Sequence, residues 1–270
     1  MKKYLVIGNP IDHSLSPELH NYWLKENNIV GTYNKEKLNN EDLKIFFQRI
    51  KNGEINGANV TIPFKKEVIS YLDDLSLEAK NTQSVNTIYC KNNKIIGHNT
   101  DIHGFKQSIN DTGYDLAGKK ILILGAGGVV PSIIFALHKM KASSIFLCNR
   151  TKEKAENIKN LFNDVNIVDW GKIVDSEMII NATSVGLNKD DKLNLDFSKF
   201  QSAEFFYDII YNPENTNFLK VAKKLNKKSE NGKKMFIYQA AQAFKIWHKV
   251  EPQVNNEVMG LLDRWLGSEF

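Results

Sequence analysis

Cysteine is scarce: Cys90 and Cys148 are the only two in 270 residues, far apart and in no metal-ligand or redox spacing. Both fall in apolar, strand-like runs, so buried free thiols in a reducing compartment are expected. Long apolar runs are also missing. No window reaches the length needed to span a bilayer, and the run after Met1-Lys2-Lys3 is too short for a signal peptide. The chain is therefore expected to be cytoplasmic, with no membrane partner. Strong charge of either sign is absent as well. A net charge of +5 is too small, and its lysines too evenly spread, to argue for nucleic acid. No His/Asp/Glu cluster has ligand spacing, so no metal is expected.

What is present is ordinary for a soluble enzyme: 42% hydrophobic and 25% charged residues, in a chain long enough for one large or two modest domains. Apolar runs alternate with helix-period stretches, which argues for an α/β architecture. Leu5–Gly8 reads as a first strand. Pro17–Glu26 reads as a helix with Ser16 as N-cap. Asn40–Lys51 (helix), Ile55–Ile62 (strand), Val85–Cys90 (strand) and a helix opening at Asn99 follow. A second unit begins near Gly118. Its first strand, Ile121–Leu124, is short and continuously apolar, as in a parallel sheet covered on both faces. Ile145–Cys148, Met178–Ile180 and Phe205–Tyr207 read as further strands. Lys223–Lys234 reads as a charged surface connection, and the chain from Phe236 onward as helix.

Gly125-Ala126-Gly127-Gly128 directly follows a strand and opens a helix, the context of a dinucleotide loop. The third glycine position of that motif is Val130, so a tight turn without a ligand stays open. The next strand ends in Asn149-Arg150-Thr151, where an NAD enzyme usually carries an acid for the ribose hydroxyl. An arginine there can pair with a 2′-phosphate, which favours NADP over NAD. In the first half, Ser14 and Ser16 sit at alternating positions before a helix. Asn59 and Thr61 share one side of an extended segment. Lys65 follows a proline turn, Asn86 lies in a strand, and Asp101 sits at a helix start, where it could also be a simple cap. Hydroxyls, amides and one lysine suit a small polyhydroxylated carboxylic acid.

Gly8 to Asn21, Asn59 to Lys65, Val85-Asn86-Thr87, Gly97 to Asp101, Gly125 to Gly128, Asn149 to Thr151, Asn181 to Gly186 and Tyr238 to Phe244 occur in order. Over essentially the whole chain these strings resemble the shikimate dehydrogenase family. The resemblance implies an N-terminal α/β substrate domain (1–100 and 237–270) and a Rossmann-type NADP-binding domain (101–236), with C-terminal helices returning to the first. It implies NADP-dependent, reversible reduction of 3-dehydroshikimate to shikimate in aromatic amino-acid biosynthesis, by a monomer or homodimer. Lys65 and Asp101 would be the catalytic pair, with Ser14 and Ser16 on the substrate carboxylate. Asn59, Thr61, Asn86 and Gln239 would bind ring hydroxyls. Gly125, Ala126, Gly127 and Gly128 would cradle the pyrophosphate, and Asn149, Arg150 and Thr151 the 2′-phosphate. Thr183 and Gly186 would line the nicotinamide side. Quinate/shikimate dehydrogenase activity with NAD or NADP, and a non-catalytic ligand-binding relative, are the alternatives. Gln83, Ile102 and Pro131 depart from the family pattern.

Overall fold

A computed structural model describes residues 1–188 and 190–267. The chain forms two compact units. One takes Met1–Gly104 and the chain from Ile237 onward, and the other is Phe105–Phe236.

The first unit contains β1 (Lys2–Gly8), α1 (Ser16–Glu26), β2 (Gly31–Lys37), α2 (Leu43–Lys51), β3 (Gly57–Val60), β4 (Asp74–Leu75), α3 (Leu77–Thr82), β5 (Thr87–Lys91) and β6 (Lys94–His98). α4 (Asp101–Asn110) starts in this unit and continues into the other. The six strands form a mixed sheet in the order β2-β1-β3-β5-β6-β4. Side chains alternate along a strand, and the two faces have different tasks. Leu5, Ile7, Ala58 and Val60 enter an apolar core with Phe46, Phe47 and Ile50 of α2. Their alternates Tyr4, Val6, Tyr33 and Asn59 lie on the opposite face, in register across β1, β2 and β3. There the rings of His20 and Trp23 from α1 meet the late Phe244 and Trp247. Trp247 docks where Gly57 leaves room: a Cβ at 57 would come within 2.4 Å of its Nε1. The same nitrogen donates to the Ile88 carbonyl at 3.0 Å, holding the C-terminal segment to the sheet.

The second unit is built from β7 (Lys120–Leu124), α5 (Val130–Lys139), β8 (Ser144–Cys148), α6 (Lys152–Lys159), β9 (Asn166–Val168), β10 (Met178–Asn181), β11 (Phe205–Asp208), α7 (Asn217–Lys224) and β12 (Lys228–Glu230). Two C-terminal helices complete the described chain: α8 (Lys233–His248), which enters the first unit at Ile237, and α9 (Asn256–Gly267). Its sheet is parallel throughout, in the order β12-β11-β10-β7-β8-β9. Numbered within the unit and read from the β9 edge this is 3-2-1-4-5-6, the doubly wound dinucleotide-binding arrangement. The direction of winding reverses between β7 and β10. Ile121, Leu122, Ile123 and Leu124 are all buried, as a strand covered on both faces requires.

Three sequence expectations need correction. Cys90 is exposed, not buried. It lies one residue from the end of β5, where Asn92 and Asn93, both with positive φ, close a two-residue hairpin that projects the strand end into solvent. Ser16 is not the N-cap of α1. It is the first helical residue, and Leu15 takes the cap position without a side-chain bond. Ser14 does the capping work, its Oγ accepting the Ser16 N–H at 3.3 Å. Lys223–Lys234 is not a plain connection, since it contains the edge strand β12. Lys228-Ser229-Glu230 carries no apolar pattern because an edge strand presents mostly polar side chains.

The three departures from the family pattern have local explanations. Gln83 closes α3 in the left-handed region at φ 47°, where glycine is the unstrained choice. Its own Nε2 bonds back to the Lys80 carbonyl at 2.8 Å. Ile102 packs in the core from the first turn of α4. Pro131 sits in the first turn of α5, where the lost N–H has no intrahelical partner.

Candidate active site

In the first unit the ends of β3, β5 and β6 deliver the polar residues to one cluster. The Lys65 ammonium donates to Asp101 Oδ2 at 2.5 Å, with side chains 14% and 8% exposed, so the pair is screened little by solvent yet reachable. Asp101 opens α4, where the helix dipole favours a negative charge. Its other oxygen, Oδ1, accepts from Asn86 Nδ2 at 2.8 Å. Asn86 Nδ2 also approaches Gln239 Oε1 at 3.4 Å. Asn86 Oδ1 in turn accepts from the Thr100 backbone N–H at 2.8 Å and the Thr87 hydroxyl at 2.9 Å. Asn59 Nδ2 donates to the Asn86 carbonyl at 3.0 Å and to Thr87 Oγ1 at 3.1 Å. Thr61 follows Asn59 by two residues, and Gly8 leaves room for its side chain: a Cβ at 8 would meet Thr61 Cγ2 at 2.5 Å. Ser16 is buried and Ser14 partly so.

Lys65, Asp101, Asn86 and Gln239 are thus joined in one chain of bonds, with Asn59 donating to the Asn86 carbonyl. Sequence reasoning did not single out Thr87 and Thr100. They are fully buried and orient Asn86. The only signal was their adjacency to Asn86 and Asp101, which strand periodicity does not distinguish from core packing.

In the second unit the loops after β7 and β10 lie side by side, as the reversal of winding dictates. Gly125, at φ 109°, passes so close to the next loop that a Cβ would meet the Ala182 carbonyl oxygen at 2.7 Å. Gly127 and Gly128 are exposed, and a Cβ at 128 would have no neighbour within 4 Å. α5 starts immediately after. Its N-cap Val129 offers no side-chain acceptor, and its first turn holds no acidic residue. An open glycine loop before an uncapped helix N-terminus fits the phosphates of a dinucleotide. Asn149 shapes this loop: its Oδ1 accepts the Ala126 N–H at 3.1 Å and its Nδ2 donates to the Thr151 carbonyl at 2.7 Å. Arg150 and Thr151 are exposed, and Arg150 makes no ion pair among the described residues.

The loop carrying Thr183 and Gly186 hangs on Asn181, whose Oδ1 accepts the Thr183 hydroxyl at 2.7 Å and whose Nδ2 donates to the Val185 carbonyl at 3.1 Å. Asp208 supports Asn181 at 3.1 Å and takes the Thr216 hydroxyl at 2.6 Å. Burial pushes its carboxyl up to about 6, against three hydrogen bonds that lower it. Gly186 is in the left-handed region at φ 122°, crowded by Ile210 and Thr216. Among the described residues no group of His, Cys, Asp and Glu could hold a metal ion, and no helix is long and apolar enough to cross a membrane.

Two family models match: the shikimate dehydrogenase substrate binding domain over residues 6–88, and shikimate / quinate 5-dehydrogenase over residues 107–218. The chain is 53% identical to a shikimate dehydrogenase (NADP(+)) of Pelagibacter ubique, over 97% of this chain and 99% of that relative. Shikimate dehydrogenase from Aquifex aeolicus superposes with a TM-score of 0.87 at 36% identity, covering 98% of each chain. The Thermus thermophilus enzyme, solved in complex with NADP(H) and shikimate, gives 0.88 at 30% identity over 98% of this chain and 100% of that one. With this extent of likeness across both units, the chain belongs to the shikimate dehydrogenase family.

Proposed function

We propose that this protein is an NADP-dependent shikimate dehydrogenase that interconverts 3-dehydroshikimate and shikimate in aromatic amino-acid biosynthesis. The observation that carries the reading is the shielded Lys65–Asp101 pair, with Asn86 holding the second carboxylate oxygen. A lone surface ion pair has no need of a buried amide to orient it.

The first unit is the substrate domain and the second the NADP domain. Lys65, Asp101, Asn86, Asn59, Thr61 and Gln239 surround the ring hydroxyls, and Ser14 and Ser16 take the carboxylate. The cofactor, when bound, supplies the hydride that reduces the C3 carbonyl. Lys65 supplies the proton. One of its N–H bonds is held by Asp101 Oδ2, which leaves others to point at the carbonyl oxygen and stabilise the charge that develops there. The proton then passes from Nζ to that oxygen, and Lys65 regains one from solvent, with Asp101 keeping the amine oriented. In the reverse direction Lys65 accepts the hydroxyl proton. The glycine loop and the N-terminus of α5 hold the pyrophosphate, with Arg150 and Thr151 on the 2′-phosphate. Asn149, tied to Ala126 and Thr151, sets the shape of that pocket. The protein acts in the cytoplasm as a monomer or homodimer, on a small molecule and without nucleic-acid or membrane partners.

The test is nicotinamide absorbance with purified protein, crossing shikimate and quinate against NADP and NAD. Rapid turnover with shikimate and NADP is expected. Preference for quinate or for NAD would overturn the specificity, and no turnover with any pair would leave a ligand-binding relative.

A further inference from the structure

His20 and Asn21 belong to the motif after Ser16, yet neither touches the polar cluster around Lys65. Both act on Tyr33 instead. Asn21 clamps its backbone, with Oδ1 accepting the Tyr33 N–H at 2.9 Å and Nδ2 donating to the Tyr33 carbonyl at 2.7 Å. The His20 ring stacks on the Tyr33 ring at 4.2 Å between centroids and 2° between planes. His20 is itself fully buried among aromatic rings, and neither of its nitrogens has a hydrogen-bond partner among the described residues. Burial, with a smaller contribution from His248, depresses it to about 3 and keeps it neutral.

The Tyr33 ring held this way is buried. Its hydroxyl donates to Asn59 Oδ1 at 2.7 Å. Tyr33 is thereby joined to the Asn59–Asn86–Asp101–Lys65 network. The consequence for Asn59 is definite. Both of its amide hydrogens are spent on Asn86 and Thr87, and one oxygen lone pair is spent on Tyr33. What it has left to offer is the second lone pair of Oδ1, an acceptor for a ligand hydroxyl.

We infer that Tyr33 is a positioning residue for substrate binding, which holds Asn59 and presents it as an acceptor, with His20 and Asn21 holding Tyr33 in register. This rests on the shikimate dehydrogenase reading. Tyr33 touches neither hydride nor proton, so its loss weakens ground-state and transition-state binding alike.

Tyr33→Phe keeps the stacked ring and removes only the hydroxyl and its bond to Asn59. Steady-state kinetics should give a KM for shikimate raised about 10-fold, the usual cost of a lost buried hydrogen bond, with kcat changed less than about 3-fold and the KM for NADP unchanged. Tyr207→Phe is the control. It also deletes a buried phenol hydroxyl, one paired with Ser108 at 2.8 Å in the other unit, and should lower thermal stability without moving the KM for shikimate. If Tyr33→Phe loses stability like the control but keeps the wild-type KM, Tyr33 is a core residue only and the inference falls. A loss confined to kcat overturns it as well. If the wild-type protein turns over no shikimate, the parent reading falls and takes this one with it, an outcome visible before any variant is made.

Discussion

Asn86 and Lys65 hold the two oxygens of one carboxylate: the amide of Asn86 donates to Asp101 Oδ1 at 2.8 Å and the ammonium of Lys65 to Oδ2 at 2.5 Å. Asp101 is thereby fixed in rotation, and the lysine it holds is aimed rather than merely neutralised. Lys65→Ala should lower kcat by two to four orders of magnitude, the usual worth of a positioned general acid, with little change in the KM for shikimate. A variant that retains most of its kcat would refute the assignment.

The two ends of the glycine loop should respond differently to the same change. Gly125→Ala drives a Cβ to 2.7 Å from the Ala182 oxygen in a left-handed conformation. It should cost on the order of 1–3 kcal/mol of stability, read as a lower midpoint in chemical denaturation. Gly128→Ala meets nothing within 4 Å. It should leave the midpoint in place and raise the KM for NADP, because the proposed phosphate site lies in that open space.

Arg150 stands exposed at the end of β8 with no acidic partner among the described residues. Arg150→Ala should raise the KM for NADP by about 10- to 100-fold, the scale of a lost charge-assisted pair, and leave the KM for NAD nearly unchanged. Equal losses with both cofactors would remove Arg150 from the 2′-phosphate.

Acid should destabilise the first unit through its buried imidazoles. Burial depresses His20 to about 3 and His248, with Lys2 nearby, to about 4. A base depressed in the folded state contributes stability that is complete above the unfolded value near 6.5. That contribution is lost as pH falls toward the folded values, because the unfolded chain binds the proton first. His20→Phe removes one titrating ring while keeping an aromatic surface for Tyr33. The difference in unfolding free energy between the two proteins should shift toward the variant as pH drops from 6.5 to 4. A difference independent of pH would contradict the depressed value.

Gln83 occupies a left-handed position that glycine takes without strain. Gln83→Gly should change stability by no more than about 1 kcal/mol, in the stabilising direction. Relief of strain is offset in part by loss of the Gln83–Lys80 bond. Differential scanning calorimetry of the two proteins measures the balance, and a large drop would show that the side-chain bond outweighs the strain.

Much of this was legible in the residues themselves. Ile121–Leu124 could only be a strand buried on both faces, since four successive apolar side chains point alternately to opposite sides. Gly125 after it could only be a tight turn. Ser14, Asn59, Lys65 and Asp101 could be singled out as candidates because their motifs are local. The polar strands β2 and β12 were not recognisable, as edge strands lack the apolar alternation that betrays a half-buried one. Cys90 looked buried because its neighbours are apolar, while the hairpin at Asn92-Asn93 puts it outside.

What the sequence determined by itself, then, is the order of elements, the alternation of faces and the chemical types available to the site. Each of these depends on interactions within a few residues. Only the tertiary structure decided which of those groups meet. Tyr33 reaches Asn59 across 26 positions, Asn86 approaches Gln239 across 153, and Trp247 reaches the Ile88 carbonyl across 159. Such contacts are fixed by strand register and by the packing of α1 and the C-terminal helix on one sheet face, and no local pattern encodes them.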